Sequence, residues 1–142
     1  MTPTLVGRIQ SRIFLLFTVG LLWTVLVAPL LPRSGATLGD VYEATITAII
    51  VVAIVGIGWE FVYHFLQQYR WEKDWPIFYG LITGIPEGIL AYVIVNAILE
   101  PNPPGLTFFL HFATTWVLVW LVAVGPFRLF LLRWRFRGGR IL

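Results

Sequence analysis

Four long apolar stretches, each closed by charged or turn-forming residues, limit what this chain can become. Charged residues make up only 12% of it, against about 25% in a soluble domain. A helix that crosses the hydrocarbon of a bilayer takes about 20 apolar residues. Four such helices with short loops use most of the 142 residues. The expected fold is therefore an all-α integral membrane protein with four transmembrane helices, forming one polytopic domain over residues 1–142. The spans are read as residues 13–31, 41–66, 75–99 and 106–127, followed by a basic tail over residues 128–142.

The first span lies between Arg12 and Arg33. Its apolar part is long for a signal peptide, so it is expected to be retained. Asp40, with Glu43 three residues on, is expected to cap the second span in the manner of a capping box. Asp74 is the expected cap of the third, with Trp75 and Pro76 in its first turn. Residues 100–105, Glu-Pro-Asn-Pro-Pro-Gly, form a stiff loop before the fourth span.

Cations set the orientation. With the N-terminus inside, Arg8, Arg12, Arg70, Lys73, Arg128, Arg133, Arg135, Arg137 and Arg140 face the cytoplasm, and only Arg33 lies outside. Both termini are then cytoplasmic. Among the ten basic residues Lys73 is the one lysine, a bias read as that of a GC-rich bacterial genome. The expected location is thus the bacterial inner membrane.

Within the spans, polar residues are few. Gly80, Gly84 and Gly88 repeat every four residues and share one helix face, which allows close helix packing in lipid. Pro86 and Glu87 sit in the same stretch and are expected to interrupt the third helix. Glu87 falls near the bilayer midplane, where an ionised carboxylate costs about 2.5–3.5 kcal/mol. It must be protonated, paired or hydrated, which makes it the first candidate for a proton or cation site. Glu60 and His64 are one turn apart, and Gln67 continues their face. Arg128, at the inner end of the fourth span, is the expected partner of Glu60. Glu87, Glu60, His64 and Arg128 together form the candidate polar network.

Other chemistries are poorly supplied. There is no cysteine, hence no thiolate ligand or thiol nucleophile. His111 lies toward the outer boundary and His64 toward the inner one, too far apart for a shared metal, so neither a metal nor a cofactor is expected. Ser11 and Ser34 sit at span ends with no histidine expected beside them. The tail residues Arg133, Trp134, Arg135, Arg137 and Arg140 read as contacts to anionic lipid headgroups, each cation contributing about 1 kcal/mol near the surface, or to a cytoplasmic partner. Trp116 and Trp120 look like a contact face for a helix or lipid. Nucleic acid is not an expected partner. The function expected is a non-catalytic accessory or assembly subunit of a larger membrane complex, binding lipids and other integral membrane proteins. The alternative is a small homo-oligomeric carrier or channel coupled to protons through Glu87. A lipid-active enzyme built on Glu60 and His64 ranks last, because no nucleophile or metal set accompanies the pair.

Overall fold

The computed structural model describes residues 4–70 and 76–142. Its described residues contain helices and no strands. Four helices are long and apolar enough to cross a membrane: α1 (Leu5–Leu30), α2 (Leu38–Gln68), α3 (Ile77–Ile98) and α4, which runs from Gly105 to Val124 and whose apolar stretch continues to Phe130. Two short helices follow, α5 (Pro126–Phe130) and α6 (Leu132–Phe136). The chain is a multi-pass membrane protein by this architecture.

Local chemistry explains where the helices start. The Thr4 side chain accepts from the Gly7 amide at 3.1 Å, so α1 begins at Leu5 rather than at Ile13. That shift draws Arg8 and Arg12 into the helix. α2 is capped by Thr37, not by Asp40. The Thr37 hydroxyl accepts from the Asp40 amide at 3.2 Å, and the Asp40 carboxylate accepts from the Thr37 amide at 2.7 Å. The motif is the expected reciprocal box, moved three residues upstream because Thr37 has the extended backbone that a cap needs. The expected cap of the third span, Asp74, and its neighbour Trp75 lie outside the described residues; Pro76 precedes the first turn of α3.

Two helices deviate from regularity. In α1 the segment Leu16–Gly20 is a π-helix, a geometry that inserts an extra residue per turn and is common at functional sites. Within α3 the α-helical pattern lapses at Thr83, which keeps right-handed helical dihedrals (φ −62°, ψ −17°). Thr83 donates to the Tyr79 carbonyl and accepts from the Glu87 amide, so the chain continues in one direction past Pro86.

The helices pack in the cyclic order α1, α2, α3, α4, with α2 also touching α4 across the middle. Leu16, Ala48, Val52, Ala91, Val95 and Phe108 form the core of this bundle. The upper part of α1, from the π segment onward, packs on α4, whereas its first turns lean on α2. α1 and α4 therefore diverge toward the end that holds both chain termini.

The tail closes that end. Gly138 and Gly139 take positive φ (62° and 85°), values that glycine adopts without penalty, and the chain reverses onto α1. The Thr4 amide donates to Gly138 O at 2.8 Å, and the Ser11 hydroxyl to Gly139 O at 2.9 Å. The Trp134 indole N–H donates to Ser11 Oγ at 2.5 Å. Trp134 is buried with Leu15 and Phe127, which corrects its expected role as a lipid or partner contact: its ring fills the space between diverging helices. Arg133, Arg135, Arg137 and Arg140 remain exposed.

Candidate functional site: a buried arginine–carboxylate cluster

Three helices meet at the side chain of Arg12. Its Nη1 and Nη2 donate to the two carboxylate oxygens of Glu87 at 2.6 and 3.0 Å. Nε donates to Glu60 Oε1 at 2.7 Å. Planar forks of this kind bind carboxylates more strongly than neutral hydrogen bonds do. Tyr63 completes the Glu87 site, its hydroxyl donating to Oε1 at 2.8 Å. Arg8 lies one turn before Arg12. Its Nη1 stands 3.5 Å from Glu60 Oε2, and its Nη2 donates to Gln67 Oε1 at 2.8 Å. The side chains of Arg12, Glu60 and Glu87 are only 11%, 8% and 2% exposed. Among the described residues, Arg8 and Arg12 against Glu60 and Glu87 give two positive and two negative charges, which balance.

The reach of Arg12 depends on α2. Gly56 lies one turn before Glu60, and a Cβ there would sit 2.6 Å from Arg12 Nη1. A bare backbone at this position lets the guanidinium cross α2 and reach α3. Gly56, Glu60, Tyr63 and Gln67 follow a four-three-four spacing, which keeps one seam facing a neighbour, and all four are buried. His64 falls about 70° from the centre of that seam at 3.6 residues per turn. It is half-buried, and its Nδ1 has no hydrogen-bond partner. Tyr63, rather than His64, is the α2 residue that joins the carboxylates.

The pairing expected between Glu60 and Arg128 is corrected too. Glu60 meets Arg8 and Arg12 of α1. The Arg128 side chain makes no hydrogen bond or ion pair among the described residues, and its Nε is buried without a partner. Gly125 (φ −102°, ψ −100°) ends α4, and Arg128 follows in α5, on the wall of a groove it shares with Glu60 but not paired with it. Sequence alone leaves Arg8 and Arg12 out of this network because it places both as charges flanking the first span. The available signal was Glu60 and Glu87 themselves, two intramembrane acids that require cations.

The glycine stripe lies against α4. A Cβ on Gly80, Gly84 or Gly88 would stand 3.4 Å from Trp120, 2.5 Å from Trp116 and 2.6 Å from Phe112 respectively. The three aromatic residues also repeat every four positions, so ring and glycine alternate along the contact. Trp116 donates to Gly80 O at 3.1 Å and Trp120 to Ile77 O at 3.0 Å, which fixes both rings. The Arg12 guanidinium carbon lies 5.7 Å from the Trp116 ring centre, tying stripe and cluster together. His111 is separate, in the other half of the bundle: fully buried, with Nε2 2.8 Å from Thr24 Oγ1.

A groove of about 240 Å³ opens where α1 and α4 diverge. Arg8, Arg12, Glu60 and Arg128 line its polar side, and Val119, Trp120, Ala123 and Val124 its apolar side. A second groove, of about 340 Å³, lies between α3 and α4, with an almost wholly apolar lining. Comparison with protein-family models, with curated proteins and with solved structures finds no match for this chain.

Proposed function

We propose that this chain is a non-catalytic accessory or assembly subunit of a larger bacterial membrane complex, with both termini in the cytoplasm. The observation that carries the reading is the mutual pairing of charges in the Arg12 cluster. Its charged side chains bind one another across α1, α2 and α3, which serves to hold a scaffold in one shape. The same geometry weighs against Glu87 as a proton carrier. Protonating it means loosening two charge-assisted hydrogen bonds and a third from Tyr63. The apolar groove between α3 and α4, with Ile85, Ile89, Ala113 and Val117 along it, offers a helix of a neighbouring subunit an apolar surface for the van der Waals packing that drives association in lipid.

The test is the native mass and composition of the tagged protein after gentle extraction from its own membrane. One reproducible, larger partner at fixed stoichiometry is the expected result. A homo-oligomer alone, whose pH-driven flux in liposomes disappears in Glu87→Gln, would replace this reading with the carrier.

A further inference from the structure

The groove between α1 and α4 holds more positive charge than its own acids neutralise. Arg8, Arg12 and Arg128 bring three cations to it, while Glu60 lines it and Glu87 stands behind Arg12. Three minus two leaves one positive charge among the described residues. That charge belongs to Arg128, since Arg8 and Arg12 meet carboxylates. A buried guanidinium nitrogen without an acceptor is costly, and an arginine fork matches a phosphate as well as a carboxylate.

The opposite wall of the groove has a different chemistry. Val119, Trp120, Ala123 and Val124 continue from the polar side up the face of α4. A ligand that fits both walls has a singly charged oxyanion at one end and hydrocarbon at the other. The volume, about 240 Å³, is below the usual range of about 300–1,000 Å³ for enclosed ligands. It suits a headgroup and the start of a chain, with the remainder left in the bilayer.

We infer that this groove is a binding site for one anionic phospholipid, its phosphodiester on Arg128 and an acyl chain along Val119, Trp120 and Ala123. The site is distinct from the exposed arginines of the tail, and it does not depend on the accessory-subunit reading.

The experiment is native mass spectrometry of the full chain, released from micelles that contain equal phosphatidylglycerol and phosphatidylcholine. One phosphatidylglycerol is expected to stay bound in preference to phosphatidylcholine. Arg128→Gln should lower that retention about tenfold, the scale of one charge-assisted hydrogen bond. Arg135→Gln, in the exposed tail, should leave it unchanged. Ala123→Trp fills the apolar wall without touching a charge and should also abolish retention. Equal retention of the two lipids, or retention that survives both Arg128→Gln and Ala123→Trp, overturns the site. Loss of the lipid on adding inorganic phosphate, with no effect of Ala123→Trp, would assign the groove to a soluble oxyanion instead. Because the measurement uses the isolated chain, its failure leaves the co-purification result standing, and the converse also holds.

Discussion

Arg12 controls the energetics at the scale of single residues. Removing it would leave two buried carboxylates facing each other, and breaking a buried pair in this way costs about 3–5 kcal/mol. Arg12→Gln is expected to lose about that much stability in a reversible denaturant titration in detergent. Tyr63→Phe should lose about 1.5–3 kcal/mol, since its hydroxyl donates to an ionised group. His64→Ala and Arg128→Gln should each stay within about 1 kcal/mol of the parent, because neither side chain holds a carboxylate. A large loss in His64→Ala would mean that the seam runs through position 64. Much of this cluster was visible beforehand: Glu60 and Glu87 announce themselves as acids in apolar surroundings. Their partner was not, because an arginine beside an apolar stretch has two meanings. It either marks the boundary of the span or belongs to its first turns. Only the cap at Thr4, with its 3.1 Å bond from Gly7, decides for the second.

Single helices show a similar division. The four helices follow from hydropathy, since a chain this apolar has few other ways to satisfy its backbone in lipid. The glycine stripe followed from spacing. What it packs against did not, because Phe112, Trp116 and Trp120 have the same period as any lipid-facing row. The contact makes a graded prediction. Replacing glycine by alanine inside a helix gains about 0.5–1 kcal/mol in backbone terms, while crowding a packed site costs about 1–3 kcal/mol. Gly58, with nothing within 4 Å of a Cβ, should be stabilised by alanine. Gly80 should be near neutral, as its Cβ would meet Trp120 at 3.4 Å. Gly84→Ala and Gly88→Ala should be destabilised, the first because Trp116 is anchored to Gly80 O and cannot swing aside. Thermal unfolding of the four alanine variants in one detergent gives the order directly. Gly84→Ala proving as benign as Gly58→Ala would show that ring and glycine are not in contact.

Across the whole molecule, charge is divided between two ends. Arg8, Arg12 and Arg128 gather at the end where Thr4 meets Gly138, and the tail adds Arg133, Arg135, Arg137 and Arg140 nearby. Asp40, Glu43 and Glu100 line a cleft at the other end, between the α1–α2 and α3–α4 connections. The bundle that produces this separation is antiparallel, so each connection returns the chain to the face that suits its charges. Excess arginine near span ends is retained on the cytoplasmic side during insertion. The absence of cysteine makes the orientation straightforward to measure with introduced thiols. A cysteine in place of Ser34, an exposed residue of the α1–α2 connection, is expected to react with a membrane-impermeant maleimide in intact cells. One at Leu142 should react only after the membrane is opened if the termini face inward as proposed. The reverse pattern would put the arginine groove outside, where it would draw lipid from the other leaflet, and would separate the charge asymmetry of this fold from the rule that ordinarily governs it.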